Sequence, residues 1–323
     1  MRVVAFSFRV AKPVDLSGSL ISSRVYLYVT VVQFPGMVMS VTEAMERYGP
    51  SEITTDRILT VEDPNFTEET VALVTGAASG IGRAIAICLA GNGLTVAGLD
   101  VDTDGLAETA ARAATLGLPG TVEPVETDLT DETAIESAVE RAAELGDLQY
   151  LANVAGLQTI APIAEFPIER YDLMHDVMQR APLLLSKAAW PHLEASGGVI
   201  GNMCSVHGHI VTEDKVAYNM VKFALRGLTQ SIAAEGDGDI RGFSVSTGFV
   251  KTPLVAKQLP DSAESRGLSV PETVEQVVLG ASEVDRMMEP YEVGNLFVHG
   301  FSHHASHLNG DDMTHDGGIS TTY

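Results

Sequence analysis

Lysine is scarce in this 323-residue chain: six lysines stand against 43 acidic residues, and the formal charge is −23 with a pI near 4.6. A surface of that sign repels phosphate backbones and anionic headgroups, which argues against nucleic acid and membrane as partners. It fits a protein kept hydrated in concentrated salt, where screening relieves the repulsion between like charges, so a salt-rich cytoplasm is the expected setting. Cysteine is nearly absent. Cys88 and Cys204 make no disulfide framework, and neither sits at a metal-ligand spacing. His303, His304 and His307 in FSHHASH lack the cysteine or HExxH context of a zinc site and read as a polar loop, so no metal is expected. Long apolar runs are missing too. RVYLYVTVVQFPGMVM is too short for a membrane span, and Lys12, Asp15 and Arg24 interrupt what a signal peptide would need to keep apolar. With no internal repeats and no low-complexity linker, a 45% apolar chain of this length suits one large domain with additions.

A composition boundary falls near residue 42. Arg2, Arg9, Lys12 and Arg24 against Asp15 give the first 42 residues a charge of +3, leaving −26 for the remainder. A β-rich appendage is one reading of the Val/Tyr/Thr run. The preferred expectation is a natural start at Met37 or Met39, preceded by an over-extended, disordered reading of the gene. Residues 43–68 read as an acidic arm covering a neighbouring subunit or a sheet edge.

From Thr70 the pattern alternates between strands and amphipathic helices. Strands are expected at 71–75, 94–100, 121–127, 148–154, 197–204, 240–246 and 312–316. That alternation predicts a Rossmann-type α/β fold: a doubly wound, mostly parallel seven-stranded sheet with helices on both faces, its ligand crevice beyond the carboxyl ends of the strands. TVALVTGAASGIGRAIAICLAGNG passes from a Val-rich strand through a glycine turn into a helix, which presents backbone N–H groups and a positive dipole end to a phosphate. Asp100 ends the next strand, 18 residues after Gly82. A carboxylate there accepts both ribose hydroxyls and repels a 2′-phosphate, which predicts NAD over NADP.

Downstream, CSVHGHIVTEDKVAYNMVK sets Tyr218 and Lys222 four residues apart, one helical turn from each other. A phenol titrates near about 10, and a fixed ammonium one turn away is expected to lower that value and make the tyrosine a proton acceptor.

TGAASGIG, with Thr75, Gly76, Gly80 and Gly82, resembles the TGxxxGxG pattern of the short-chain dehydrogenase/reductase superfamily, and the resemblance extends over roughly residues 68–321. It implies cofactor contacts from Gly76, Ser79, Gly80, Ile81 and Gly82, and from Asp100 and Asp128 of TDLT. Asn153, Ala155 and Gly156 of NVAG resemble NNAG, with Val154 in place of the second Asn. Ser205 precedes Tyr218 by 13 residues, the family's spacing for its catalytic Ser and Tyr, so Ser205, Tyr218 and Lys222 are the implied triad, Tyr218 and Lys222 also touching the cofactor. TGFVKTP resembles the family's PGxxxTP cofactor loop, contributing Val250 and Thr252, with Thr247 where Pro is usual. HDGG, His315 to Gly318, resembles the family's last strand and ending. The helices at 171–195 and 215–235 resemble those through which the family forms dimers and tetramers, so a homodimer or homotetramer is implied.

On the substrate side the resemblance is to bacterial D-3-hydroxybutyrate dehydrogenases. It implies that Gln158, His207, Lys215 and Gln258 gather round a substrate carboxylate, one cation and three hydrogen-bond donors holding a short 3-hydroxy acid. Residues 253–290 read as a helical lid. One position departs from the family: Met178 stands where an Asn ordinarily supports a proton relay to the catalytic Lys, and Met makes no useful hydrogen bond. Two alternatives stay open: a short-chain dehydrogenase acting on a sugar, polyol or acyl thioester, and a non-catalytic NAD-binding sensor or scaffold.

Overall fold

The computed structural model describes residues 3–8, 25–30 and 39–322. Two units separate, Met1–Met39 and Ser40–Tyr323. In the first, β1 (Val3–Phe8) and β2 (Val25–Thr30) pair antiparallel. The expectation for residues 1–42 otherwise falls largely outside the described residues.

The second unit opens with α1 (Val41–Tyr48), started by a reciprocal cap in which Ser40 Oγ accepts from the Glu43 N–H and the Glu43 carboxylate accepts from the Ser40 N–H. There follow β3 (Thr70–Thr75), α2 (Gly80–Ala90), β4 (Thr95–Asp100), α3 (Thr103–Thr115), β5 (Thr121–Glu126), α4 (Glu132–Ala143), β6 (Asp147–Asn153), α5 (Ile168–His175) and α6 (Ala181–Ser196). The chain continues through β7 (Val199–Met203), α7 (Val216–Glu235), β8 (Arg241–Thr247), α8 (Pro253–Arg266), α9 (Val270–Thr273), α10 (Pro290–Phe301), β9 (Asp311–His315) and α11 (Ile319–Thr322). The seven strands of this unit form one all-parallel sheet in the order β5-β4-β3-β6-β7-β8-β9.

Each strand falls within two residues of its expected position, because the apolar runs that parallel strands need when buried on both faces are plain in the sequence. β3 is buried along its whole length. The edges are different in kind: β5 reads TVEPVE and β9 reads DDMTH, so proline and charge blunt the unpaired rims. One core layer joins the sheet to α2 and α10, with Ile85, Leu89, Phe243 and Phe297 buried in it; the other joins it to α4 and α6 through Ile135, Leu151 and Leu185. Gly294 lets α10 approach α2 closely, since a Cβ there would stand 2.6 Å from Cys88 Sγ.

The strand order reverses between β3 and β6, the place where such sheets open a crevice. The acidic arm of residues 43–68 lies along its own unit. α1 packs on α8. The Ser51 N–H and hydroxyl donate to the Glu289 carboxylate, the Leu59 N–H donates to Asn295 Oδ1, and Asp63 accepts from the His303 N–H and imidazole. Of the histidine cluster, His303 is thereby an anchor for the arm; among the described residues no group of side chains could hold a metal ion.

Candidate active site

The glycine turn is shaped by what has no room. Gly76 and Gly80 have φ of +70° and +54°, a region that side chains rarely enter. A Cβ on Gly76 would stand 2.9 Å from Ala155 Cα, and one on Gly82 2.1 Å from the Gly76 carbonyl oxygen. Thr75 ties this turn to the next motif: its Oγ1 accepts from the N–H of Val154 at 2.8 Å and of Ala155 at 3.0 Å. The TG and NVAG segments are therefore one braced rim.

That rim borders a cavity of about 730 Å³, the size of a cofactor and small-ligand site. Eighteen of the nineteen sequence-derived candidates border it. At one end stand Gly76, Ser79, Gly80, Ile81 and Gly82, with Asp100 and Asp128 beside them; Ala155 and Gly156 form the adjoining wall, and Val250 and Thr252 face it. Ser205, His207, Lys215, Tyr218 and Lys222 stand close together on the same lining, which Gln158 and Gln258 also join. Asn153 is the exception. It is buried behind the wall, its amide nitrogen donating to Asn202 Oδ1 at 2.9 Å, while Asn202 donates to Thr229 Oγ1 at 2.9 Å. It braces β6 against β7 and α7 instead of facing the cavity.

The residues present fit a dinucleotide. The glycine cradle that a Cβ would fill opens onto the N-terminus of α2, where N–H groups meet a phosphate. Asp100 Oδ2 accepts from the Ala78 N–H at 3.2 Å and Oδ1 from the Asp102 N–H at 3.1 Å, so the carboxylate is fixed at the end of β4. Asp128 is held by the N–H and hydroxyl of Thr130, which keep its carboxyl below the usual range. Arg83, the cation nearest in sequence, is committed to Glu108 and Thr109. β8 runs through Thr247 without the usual proline, and the loop after it is closed by Phe249 and Lys251 bonding both backbone groups of Met288. Thr252 then caps α8 through the Val255 N–H and comes against Gly80.

The chemistry-bearing end is dry. Lys222, 3% exposed, donates from Nζ to the Met203 carbonyl at 2.7 Å and lies 5.4 Å from the centre of the Tyr218 ring. Burial pushes Lys222 down to about 8 and Tyr218 up to about 12, the latter opposed by a hydrogen bond with Ser205 and reinforced by Cys204. The expected lowering of the tyrosine by Lys222 does not emerge, because the ammonium faces a carbonyl and the ring, and desolvation outweighs it. Ser205 Oγ contacts His207 Nδ1 at 3.2 Å, and His207 Nε2 contacts Thr212 Oγ1 at 3.0 Å and Lys215 Nζ at 3.4 Å. Burial first, then Lys215 and Lys222, push His207 down to about 3; burial and Arg266 push Lys215 down to about 8. Met178 is fully buried in a five-residue π-turn, Asp176–Arg180, against Met174, Ala217 and Val221.

Two cavity-lining residues escape the sequence reading. Phe249 lies under Lys215, 5.7 Å from Nζ, and Arg266 at the end of α8 adds a second positive charge. Phe249 sits inside TGFVKTP and was within reach of the motif; Arg266 has no local signal.

A family model described as enoyl-(acyl carrier protein) reductase matches residues 76–320. The D-beta-hydroxybutyrate dehydrogenase of Rhizobium meliloti is 31% identical over 76% of this chain and 97% of its own length. The D-threitol dehydrogenase of Mycolicibacterium smegmatis is 32% identical over 77% and 92%. The crystal structure of levodione reductase superposes with a TM-score of 0.74 at 27% identity, covering 80% of this chain and all of its own. The chain belongs to the short-chain dehydrogenase/reductase superfamily. It is accordingly an oxidoreductase acting on alcohol and carbonyl groups, with a nicotinamide cofactor and a small-molecule substrate. Among the described residues no helix is long and apolar enough to cross a membrane.

Proposed function

We propose that this short-chain dehydrogenase uses NAD to interconvert a short 3-hydroxy acid, such as 3-hydroxybutyrate, and its ketone. The observation that supports the reading is that Gln158, Lys215 and Gln258 line the same cavity as Ser205 and Tyr218. Lys215 and the two glutamines supply N–H donors for a carboxylate, which together hold the carbinol carbon in one orientation. Ser205 hydrogen-bonds the substrate oxygen, and Tyr218 accepts the hydroxyl proton in oxidation and returns it in reduction. Lys222 stands against the Tyr218 ring and would hold the nicotinamide ribose when the cofactor is bound. When bound, the cofactor supplies the hydride acceptor and a positive charge that favours the phenolate. Asp100, the carboxylate that lines the cavity at the end of β4, supports NAD, because a 2′-phosphate would meet its negative charge.

The setting we infer is a salt-rich cytoplasm, supported by the net charge of −23. A homodimer or homotetramer is supported by Leu183 on α6 and by Met220 and Phe223 on α7, all exposed apolar residues. The second reading, a polyol as substrate, is favoured by the similarity to the threitol enzyme. A screen in concentrated KCl with NAD and NADP over 3-hydroxybutyrate enantiomers, threitol and acetoacetyl thioesters decides between them. Preference for the hydroxy acid with NAD is expected; turnover of threitol with no gain from a carboxylate would transfer the assignment to the second reading.

A further inference from the structure

We propose that His207 and Lys215 form the exit by which the site's proton reaches water, a role that rests on the reading of Tyr218 as the acid–base group. Two directions lead away from Tyr218. Behind it, position 178 offers no polar side chain. Lys222 Nζ is bound to the Met203 carbonyl, and the sulfur of the buried Met178 lies 3.4 Å from where a Cβ on Gly156 would stand. Met178 packs among Met174, Ala217 and Val221, and a thioether has no proton to give.

In front, the groups form a continuous chain. Ser205 is the side chain that pulls the Tyr218 phenol down against the effect of burial, and Ser205 Oγ lies 3.2 Å from His207 Nδ1. On the far side of the imidazole Nε2 lies 3.4 Å from Lys215 Nζ and 3.0 Å from Thr212 Oγ1. Lys215 itself is half-buried and lines the cavity. The His207 ring also meets the Tyr218 ring edge to face, 5.5 Å between centres, which fixes its plane. Both ring nitrogens are thereby committed to protein partners, an arrangement suited to passing a proton through the ring.

The step balances without an imidazolium. In oxidation the substrate O–H proton moves to the Tyr218 phenolate oxygen. Tyr218 passes a proton to Ser205 Oγ as the Ser205 O–H gives its own to His207 Nδ1, and the His207 Nε2–H proton moves to the neutral Lys215 amine. One proton has entered and one has left; Lys215 becomes an ammonium and releases it to water. Reduction runs the chain backwards. The charge on Lys215 thus selects the tautomer of His207: an ammonium donates to Nε2 and leaves the proton on Nδ1, whereas a neutral amine accepts from an Nε2–H.

The surroundings agree with this assignment. The groups facing His207 are Lys215, Lys222 and Tyr218; those facing Lys215 are His207, Phe249 and Arg266, with Glu213 and Asp214 exposed in the same loop. Against these, His207 stays neutral across the working range, its value lowered to about 3, and Lys215 exchanges its proton near about 8.

Nitrogen-15 NMR of the imidazole in the full-length protein, titrated in concentrated KCl between about pH 6 and 10, tests the link without turnover. His207 is expected to change from the Nδ1–H to the Nε2–H tautomer with the ionisation of Lys215, and to show no such change in Lys215→Met. A tautomer that ignores pH, or that changes identically in Lys215→Met, overturns the proposal. Turnover supplies the second arm. His207→Gln is expected to lower kcat about 10²-fold on 3-hydroxybutyrate and on 2-butanol alike, with partial rescue by added imidazole. A rise in KM for 3-hydroxybutyrate alone would make His207 a carboxylate ligand and nothing more. If neither alcohol is oxidised by the native protein, the substrate reading fails, and the tautomer titration still decides the proton path.

Discussion

Lys222 Nζ donates a 2.7 Å hydrogen bond to the carbonyl oxygen of Met203, which ties the middle of α7 to the end of β7 directly beneath the ring of Tyr218. The lysine is therefore a structural strut as well as a charge. Replacing Lys222 with Met removes the donor from a buried carbonyl and is expected to cost about 1–3 kcal/mol of stability. Tyr218→Phe removes only a hydroxyl and is expected to lower kcat about 10²–10⁴-fold with an unchanged thermal midpoint. Thermal unfolding and initial rates on the two variants separate these effects; a Tyr218→Phe protein that kept most of its activity would remove Tyr218 from the mechanism.

Asp100 closes β4 with one carboxylate oxygen on the Ala78 N–H and the other on the Asp102 N–H. Asp100→Ser removes the charge that disfavours a 2′-phosphate and the acceptor for the ribose. The NAD-over-NADP preference in kcat/KM is expected to fall by about 10- to 100-fold, the equivalent of about 1.5–3 kcal/mol for a hydrogen bond to a charged group. An unchanged preference would mean that discrimination lies elsewhere.

Glu289 joins three segments: it accepts from the N–H and hydroxyl of Ser51 in the arm and from Lys251 Nζ at 2.6 Å in the loop beside Thr252. Burial alone would raise its carboxyl, but these donors together hold it below its ordinary value of 4.5. A depressed carboxyl contributes stability that is full above that ordinary value and is lost as pH falls through the lower, folded one. Hydrogen exchange across residues 40–62 is expected to accelerate below about pH 4.5 in the native protein and to be fast at neutral pH in Glu289→Ala. Equal protection in Glu289→Ala and the native chain would show that α1 holds the arm unaided.

Much of this arrangement was legible because it is written in short-range spacing. The glycine turn, the 18 residues from Gly82 to Asp100 and the 13 from Ser205 to Tyr218 are local distances that strand and helix geometry turns directly into positions. What escaped is long-range pairing. Asn153 reads as a cavity residue by its motif, yet its amide reaches 49 residues along the chain to Asn202, which in turn reaches 27 to Thr229. Ser51 meets Glu289 across 238 residues. The hydrogen bond of Lys222 has the same origin, for nothing in YxxxK states that its amine will turn to a carbonyl 19 residues upstream.

The acidic excess predicts a salt dependence of its own. At −23 the folded chain repels itself, and screening shortens the reach of that repulsion from about 30 Å at 0.01 M to about 3 Å at 1 M. The thermal midpoint is expected to rise steadily as KCl is increased through that range. A midpoint that is flat or falling with salt would separate the composition from any need for it.

Met178 offers the sharpest test of how protons leave. An asparagine there would sit in the π-turn Asp176–Arg180 with only Met174, Ala217, Val221 and their neighbours around it. Its amide would be buried beside apolar groups, at an expected cost of about 1–3 kcal/mol. The cluster of apolar side chains around it offers the new amide no relay partner, so no faster route to water is expected to open. Met178→Asn is therefore expected to lower the thermal midpoint and leave kcat the same or lower. A large gain in kcat would show that the rear path is the working one and that His207 and Lys215 serve only the substrate.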